Sequence, residues 1–357
     1  MTPLYPHLLR RIIADGPLTV AQYMQECLLH PDHGYYSTRD PFGADGDFIT
    51  APEISQMFGE LIGLALAQTW LDQGAAPDIT LAEIGPGRGT LMADILRATK
   101  PVPGFHAALD LHLIEASPTL RALQKSKLSS IKTTWHDEIH TLPDQPLFLV
   151  ANEFFDALPI RQFMRDKTGW RERRIGIAPD QDPPKLAFGL NDMAPQPALN
   201  HRLHDTKDGD LVEFCPAAPA IMAEIDARLH TYGGCALVID YGDWSGIGDT
   251  LQALSNHSFS DPLDHPGRDD LTAHVDFAAL ARGRQSATTK LTSQGDFLHR
   301  LGIAERTEAL AKNLRGDALT DHISAYHRLT DGDKMGTLFK VIGFFPENAA
   351  PPAGLTR

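Results

Sequence analysis

Short apolar runs alternate with helical patterns from about residue 78 onward. Runs of strand length and segments with apolar residues at helical spacing follow one another: strands at 79–84, 109–114, 146–150 and 233–241, and helices at 90–98 and 118–128. This alternation is typical of a sheet whose strands are mainly parallel and whose helices cover both faces. The pattern therefore predicts an α/β core with a doubly wound, mainly parallel sheet.

The first 75 residues lack this alternation, and we expect residues 1–75 to form a helical segment that caps the core. The apolar spacing from 20 to 29 predicts a helix that ends before Pro31. A second helix is predicted to start at Thr50 and to continue to Trp70. Thr50 can cap that helix, and Glu53 stands where it would complete a capping box.

Two insertions interrupt the predicted core, which spans residues 76–357. The first, at about 160–215, contains strand-like pieces of an antiparallel sheet: 160–164, 170–177 and 186–190. The second, at about 243–300, is rich in Gly, Pro, His and Asp. We expect these α+β insertions to form a substrate lobe. An apolar run at 335–345 predicts a late strand, and the Pro- and Ala-rich tail behind it is expected to be disordered.

The net charge of the chain limits the classes of molecule that it can bind. The chain has 357 residues, in which Asp and Glu outnumber Lys and Arg by 46 to 32, and its formal net charge is −14. Such a field repels phosphate backbones and anionic membranes and favours a cationic partner, including a protein rich in Lys or Arg. We therefore expect no nucleic-acid partner. No apolar run is long enough to predict membrane insertion.

Cysteine and histidine spacing predicts neither a disulfide framework nor a metal site. Cys27, Cys215 and Cys235 lie far apart, as expected for isolated thiols in a reducing compartment. None of the 16 histidines belongs to an H-E-x-x-H motif or another convincing ligand set. No secretory signal is visible at the N-terminus, so a cytoplasmic location is expected. The sequence does not indicate the oligomeric state.

Closely spaced glycines follow the first predicted strand of the core: Gly85, Gly87 and Gly89, with Thr90 behind them. Glycine permits a tight turn and lets a ligand approach the backbone. A dinucleotide fingerprint requires G-x-G-x-x-G, but here the third glycine comes one residue early, which argues against a dehydrogenase. A phosphate-binding P-loop requires Gly-Lys-Ser or Gly-Lys-Thr, which is absent. The alternative is a glycine turn that packs a helix on a sheet without any ligand.

The E-x-G-x-G-x-G pattern resembles the first motif of the Rossmann-like methyltransferases that use S-adenosylmethionine (SAM). This resemblance implies SAM as the cofactor, with its methionine part against the loop. The implied contacts are Glu83, near the amino group of SAM, and the loop residues Gly85, Pro86, Gly87, Gly89 and Thr90.

Two acids further along complete the predicted cofactor site. Glu115 ends the second strand, where a carboxylate can accept hydrogen bonds from both ribose hydroxyls; a helix-capping or solvated acid is the alternative. Asp137 follows a third strand segment, where the resemblance implies contact with the adenine amino group, although Asp is also common in turns.

The sequence also resembles a narrower family of SAM-dependent methyltransferases, which includes the mitochondrial complex I assembly factor with arginine methyltransferase activity. The most specific block is Asn-Glu-Phe-Phe-Asp-Ala-Leu-Pro at 152–159. Similar blocks span most of the chain: 46–55, 83–91, 240–242, 274–277 and 292–295. The resemblance implies symmetric dimethylation of an exposed arginine on an acceptor protein, with a respiratory-complex subunit as one candidate.

Methyl transfer to arginine sets clear chemical demands. The guanidinium is cationic and becomes nucleophilic only as it loses a proton, so one or two carboxylates must hold its fork and accept that proton. Glu153 and Asp156 are the candidate acids, and Asn152 can supply amide contacts, because these residues follow a strand whose carboxyl end opens into the ligand crevice. Phe154 or Phe155 is expected to wall the site. The alternatives are a helix cap for Asp156 and core packing for the phenylalanines.

Later residues are expected to face the same crevice. Asp240 and Tyr241 end another buried strand, and His274 is a candidate base with Asp276 close by in the sequence. A purely structural role explains a single histidine equally well.

A segment that precedes the core is a candidate lid over SAM. It carries Tyr35, Tyr36, Asp47, Phe48 and Glu53, of which Tyr36 and Glu53 are candidate cofactor contacts. An aromatic lid would exclude water and contact the sulfonium. Alternatively, the tyrosines fix the N-terminal helices to the rest of the protein.

Two other functions are consistent with these motifs. One is a methyltransferase that acts on a small molecule or on another residue type, since the SAM motifs say little about the acceptor. The other is a catalytically idle assembly factor or chaperone. Binding of SAM separates the enzymes from the idle scaffold, which has no need of the cofactor.

Overall fold

The computed structural model describes residues 1–38, 50–255 and 258–357. The helices are α1 (Tyr5–Asp15), α2 (Val20–Leu29), α3 (Tyr35–Thr38), α4 (Ala51–Ile54), α5 (Gln56–Asp72), α6 (Thr90–Thr99), α7 (Phe105–Ala108), α8 (Pro118–Lys127), α9 (Ala218–Tyr232), α10 (Phe277–Ala281), α11 (Gln294–Arg300), α12 (Ile303–Ala311), α13 (Asp317–Thr330) and α14 (Met335–Leu338), with short 3-10 helices at Ile139–Thr141 and Pro197–Arg202. The strands are β1 (Leu18–Thr19), β2 (Ile79–Ile84), β3 (Leu109–Ile114), β4 (Thr133–His136), β5 (Leu147–Asn152), β6 (Arg161–Asp166), β7 (Gly169–Ile177), β8 (Leu186–Leu190), β9 (Leu211–Phe214), β10 (Gly234–Asp243), β11 (Gln252–Ser255), β12 (Ser258–Ser260), β13 (Asp270–Thr272), β14 (Val275–Asp276), β15 (Ala287–Thr288), β16 (Thr292–Ser293) and β17 (Phe339–Phe345).

The central sheet has the strand order β15-β17-β10-β5-β2-β3-β4, with β14 beside β10 and β16 beside β17. Strands β4, β3, β2, β5 and β10 are parallel, and β17 is antiparallel to β10. The predicted α/β class with a mainly parallel sheet is confirmed. From β2 the chain goes first to β3 on one side and later to β5 on the other. Ligands bind at the carboxyl ends of the strands at such a reversal of strand order.

Helices cover both faces of this sheet, which explains why β2 and β5 are buried at every position. On one face, α5 and α6 pack with the apolar side chains of the sheet into one core. These two helices approach closely, since a Cβ atom on Gly63 would lie 2.9 Å from the Cα atom of Ile95. On the other face, α9 and α10 bury Met222, Ile225 and Phe277 against the sheet.

A second lobe surrounds an antiparallel sheet of order β1-β7-β6-β9, with β8 beside β7. Strand β1 pairs with β7, so the N-terminal segment contributes to the sheet of the first insertion. Helices α1 and α2 share one apolar core with this sheet and with residues of the second insertion, such as Leu251 and Leu271. The structure therefore groups the chain differently from the predicted division at residue 75: α1 and α2 pack on the lobe, whereas α5 packs on the central sheet.

Several local predictions need correction. The helix predicted to start at Thr50 is broken at Ser55, whose extended backbone ends α4 and whose Oγ accepts a hydrogen bond of 3.2 Å from Met57 N at the start of α5. Thr50 precedes α4, and its side chain makes no capping hydrogen bond. The C-terminal tail is packed, because Leu355 is buried in the core and Lys290 N donates to Thr356 O at 2.8 Å.

The three cysteines agree with the prediction of isolated thiols. All three are free thiols, and burial raises the pKa values of Cys27 and Cys235 to about 12. Among the described residues, no helix is both long and apolar enough to span a bilayer.

Candidate active site

A cleft of about 1560 Å³ opens at the carboxyl edge of the central sheet. The glycine loop lies along one side of it, and the segment that follows β5 lies along another. Among the sequence-predicted site residues, those that line the cleft are Tyr36, Gly85, Gly87, Glu115, Asp137, Glu153, Phe154, Asp156, Tyr241 and His274. Several cofactor candidates and the acids Glu153 and Asp156 thus line one cleft.

The glycine loop turns sharply from β2 into α6. Gly85, Gly87 and Gly89 have φ angles of 66°, 50° and 74°, in the left-handed region that favours glycine. A Cβ atom on Gly85 would also lie 2.9 Å from Cδ2 of Phe154. The loop therefore needs glycine both for its backbone conformation and for its contact with the segment that carries the acids.

Glu115 is held in place at the end of β3. Its carboxylate accepts hydrogen bonds from Ser117 N at 2.8 Å and from Gln124 Nε2 at 3.2 Å. The same Gln124 amide donates to the carbonyl of Gly87 at 2.7 Å and accepts from Trp135 Nε1 at 2.8 Å. Burial raises the pKa of Glu115, although these hydrogen bonds oppose the shift.

Gln124 therefore joins the glycine loop to the candidate ribose acid, a role that sequence reasoning missed. It is fully buried and lies four residues after the buried Leu120, on the inward face of α8. A polar residue at an inward helical position was the available signal, because a buried amide must find hydrogen-bond partners.

Asp137 and Tyr36 line the cleft at its edges. Asp137 is exposed and accepts a hydrogen bond of 2.6 Å from Arg121 Nη2. The hydroxyl of Tyr36 donates to Asp270 Oδ1 at 3.0 Å, and the buried Tyr35 packs edge-on against the Tyr36 ring. The lid candidates Asp47 and Phe48 lie outside the described residues.

Other cofactor candidates are not among the residues that line the cleft. Thr90 Oγ1 donates to Glu53 and accepts from Lys127 Nζ, so these side chains bind one another. Glu83 is buried, and its Oε2 has no hydrogen-bond partner among the described residues. Burial, together with the charge of Glu115, raises the pKa of Glu83 to about 8. Pro86 and Gly89 complete the set that does not line the cleft.

Glu153 stands at the turn that follows β5, with a φ angle of 51° that is unusual for a side-chain-bearing residue. Its backbone N–H donates to Ile239 O at 2.9 Å, which fixes the turn to β10. The carboxylate accepts from Ala51 N and from Asn152 Nδ2, both at 3.0 Å. Burial raises the pKa of Glu153 to about 7. Strained backbone of this kind often occurs at functional sites.

Asp240 does not line the cleft and instead anchors the turn from below. Its Oδ2 accepts from the backbone N–H groups of Phe154, Phe155 and Asp156 at 3.2, 3.0 and 3.3 Å, and its Oδ1 accepts from Tyr241 N at 2.9 Å. The side chain is fully buried. Burial and the neighbouring acids raise the pKa of Asp240, whereas the four N–H groups stabilise its ionised form. Asp240 thus holds the backbone of the turn that carries Glu153 and Asp156.

Asp156 lines the cleft at the end of this turn. It is 6% exposed, and its Oδ1 has no hydrogen-bond partner in the part of the chain that the structure describes. Burial raises its pKa to about 6, and a hydrogen bond with the Tyr241 hydroxyl acts in the opposite direction. A buried acceptor atom without a partner among the described residues is suited to bind a donor-rich ligand.

The remaining candidates take peripheral positions. His274 is exposed, and its ring packs edge-on against Tyr241 with ring centres 5.3 Å apart. Partial burial lowers its pKa. Asp276 caps α10 through a hydrogen bond from Ala279 N at 2.9 Å, and Phe155 is buried in the core, while Phe154 walls the cleft.

Within the described ranges, one group of side chains has metal-ligand spacing, and it lies outside the cleft. Ligand atoms of His7, Glu26 and His30 lie within 4.8 Å of one another. Arg11 forms an ion pair with Glu26, and Asp32 N donates to His30 Nδ1 at 3.2 Å.

Comparison with known proteins places these features in a family. Residues 61–295 match the family model described as "Putative S-adenosyl-L-methionine-dependent methyltransferase". The chain is 37% identical over 373 residues to "Protein arginine methyltransferase NDUFAF7, mitochondrial" of Homo sapiens, covering 97% of this chain and 84% of the relative. It is 35% identical over 388 residues to the protein of that name from Xenopus tropicalis, covering 99% and 89%.

A solved structure shows the same fold. A crystal structure from Burkholderia thailandensis, bound to S-adenosyl-homocysteine, has a TM-score of 0.83 and 28% sequence identity, and covers 98% of this chain and 94% of its own. The ligand in that protein is the product that SAM becomes after methyl transfer.

The comparison overturns the expected cytoplasmic location, because these relatives are named as mitochondrial proteins. The expectation depended only on the absence of a visible signal, and such an absence does not determine a compartment. Since the family model covers more than half of the chain and the relatives align along nearly all of it, the chain belongs to the family of SAM-dependent methyltransferases.

Proposed function

We propose that this methyltransferase transfers methyl groups to the guanidinium of an arginine on an acceptor protein. The observation that carries the proposal is the pair of acids that line the cleft at the turn after β5: half-buried Glu153 and buried Asp156, whose Oδ1 has no hydrogen-bond partner among the described residues. The names of the relatives, as protein arginine methyltransferases, support the same acceptor.

The residues of the cleft fit SAM. The glycine loop leaves the backbone accessible, and Glu115 stands at the end of β3, where it can accept hydrogen bonds from ribose hydroxyls. Glu83, one residue before the end of β2, has a buried Oε2 with no hydrogen-bond partner among the described residues, which offers an acceptor near the position expected for the amino group. When bound, SAM supplies a methyl group on a positively charged sulfur. The loop contacts the acid turn through Gly85 and Phe154, which brings the donor side and the acceptor side of the cleft together.

The two acids suit the chemistry of a guanidinium. Its N–H groups form a fork that matches a carboxylate, and Asp156 Oδ1, which has no hydrogen-bond partner among the described residues, can accept one of them. Glu153 is held by Ala51 N and Asn152 Nδ2, and its pKa of about 7 suits a group that accepts a proton near neutral pH. We assign binding of the guanidinium to Asp156 and removal of its proton to Glu153.

A labelling experiment tests this proposal. The protein is incubated with SAM that carries a tritiated methyl group and with an extract of its source cells from which the gene has been deleted. Labelled proteins are hydrolysed and analysed by mass spectrometry. We expect methylated arginine, with symmetric dimethylarginine as the final product and respiratory-complex subunits as the first acceptors to examine. Glu153→Gln should bind SAM as the wild type does and transfer no methyl group.

Two other outcomes would favour the alternative functions. Label on lysine or on a small molecule would replace arginine as the acceptor and favour the other methyltransferase hypothesis. A protein that does not bind SAM in calorimetric titration at millimolar concentration would favour the idle scaffold, and the acid turn would then need another explanation.

A further inference from the structure

One arginine lies among the acids of the cleft. The acidic residues that line the cleft are Glu115, Asp137, Glu138, Glu153, Asp156, Glu224 and Asp270. Within the described ranges, Arg328 of α13 is the only Lys or Arg that lines it. Arg328 is exposed and forms no ion pair or side-chain hydrogen bond in the part of the chain that the structure describes. Its guanidinium is therefore available to a bound anion.

Arg328 lies at the end of the cleft that holds the acid turn. Helix α13 packs against α4, and Ala51 at the start of α4 donates its N–H to the Glu153 carboxylate at 3.0 Å. Burial raises the pKa of Glu153, and the positive charge of Arg328 is one of the influences that oppose this shift. The guanidinium therefore lies close enough to act on the Glu153 carboxylate.

The strand order of the central sheet gives the direction in which SAM would cross the cleft. Strands β4, β3, β2 and β5 lie side by side, and each is followed directly by a candidate site residue: Asp137, Glu115, Gly85 and Glu153, in that order along the carboxyl edge. With its ribose at Glu115 and its methionine part at the glycine loop, SAM would extend toward β5. The α-carboxylate at the free end of the methionine part would then lie on the side of the loop where Arg328 stands.

We infer that Arg328 binds the α-carboxylate of the methionine part of SAM. The acids of the cleft repel a carboxylate, so a negative group that enters the cleft needs a cation within reach. The guanidinium fork matches a carboxylate and can donate two parallel hydrogen bonds to it. This inference depends on SAM as the cofactor and not on arginine as the acceptor.

Calorimetric titration with SAM and with decarboxylated SAM, which lacks only this carboxylate, tests the inference. The wild type should bind SAM more tightly than decarboxylated SAM. Arg328→Gln removes the charge and should raise the Kd for SAM by about 10- to 100-fold, as expected for the loss of one or two charge-assisted hydrogen bonds. The same variant should leave the Kd for decarboxylated SAM within about twofold, because that ligand has no carboxylate to lose. Arg328→Lys keeps the charge without the fork and should recover part of the affinity for SAM.

Control measurements separate carboxylate binding from other roles of Arg328. Arg315→Gln changes an exposed arginine that does not line the cleft and should leave both Kd values unchanged. Equal weakening of both ligands by Arg328→Gln would overturn the inference, because the effect would not depend on the carboxylate.

Kinetics with the peptide acetyl-Gly-Arg-Gly-amide adds a second check. An unchanged Kd for SAM in Arg328→Gln, together with a raised KM for the peptide, would overturn the inference and assign Arg328 to the acceptor instead. The titration itself uses no acceptor, so a wild type that methylates no arginine would overturn the proposed function and leave this inference intact.

Discussion

The anchoring of the acid turn by Asp240 leads to a quantitative prediction for Asp240→Ala. Truncation leaves four backbone N–H groups without their acceptor: those of Phe154, Phe155, Asp156 and Tyr241. The site is fully buried. Each N–H group that loses its acceptor costs about 1 kcal/mol, so the free energy of unfolding should fall by about 4 kcal/mol.

The same variant should lose activity. Since Glu153 and Asp156 depend on this turn for their positions, a displacement of about 1 Å would be enough to reduce methyl transfer by about 100-fold. Binding of SAM should be affected less, because Glu115 and Gln124 are held by separate hydrogen bonds. Asp240→Asn keeps an oxygen that can face the turn, so we expect it to lose about half as much stability.

Urea unfolding monitored by tryptophan fluorescence, with methyl transfer measured on the same preparations, checks both effects. The matched control is Asp243→Ala, which alters an exposed carboxylate at the end of the same strand and should leave stability within about 0.5 kcal/mol. If Asp240→Ala remained within 1 kcal/mol of the wild type and retained full activity, the assignment of Asp240 as the anchor of the turn would be refuted.

Three other predictions concern the cofactor side and the proton acceptor. Gly87→Val should abolish calorimetric binding of SAM, because a β-branched residue is strained at a φ angle of 50° and would obstruct the cofactor path; binding of SAM by this variant would contradict the loop assignment. Gln124→Leu removes the amide that joins Gly87 to Glu115 and should weaken SAM binding by about tenfold, while an unchanged Kd would show that the link is dispensable. For Glu153, a raised pKa means that the carboxyl is protonated below about pH 7, so kcat should rise with pH to a plateau with a midpoint of about 7. A pH profile of kcat that is flat between pH 5.5 and 8.5 would remove Glu153 as the proton acceptor.

Much of the family assignment could be made from the sequence. The spacing of Gly85, Gly87 and Gly89 excludes a dinucleotide fingerprint, and the block at 152–159 indicates the narrower family. The main strands were predicted to within a few residues, because runs buried on both faces are continuously apolar. These features are local, so neighbouring residues contain the information that defines them.

The roles of individual side chains depended on the tertiary structure. Asp240 was expected to face the crevice, but it binds a turn that lies 84 to 86 residues earlier in the chain. Gln124 and Arg328 were not singled out at all, since neither belongs to a recognisable motif. The sequence pattern also did not predict that α1 and α2 pack with residues of the two insertions.

The sequence predicts elements better than side-chain roles because the two depend on interactions of different range along the chain. Hydrophobic periodicity determines which residues form a strand or helix and which face is buried, and these depend on positions a few residues apart. Whether a carboxylate at a strand end points into the cleft or toward a neighbouring turn depends on register and on partners from remote segments. The sequence by itself therefore determined the fold class and the cofactor, whereas only the folded chain decided which of its many acids face the cleft.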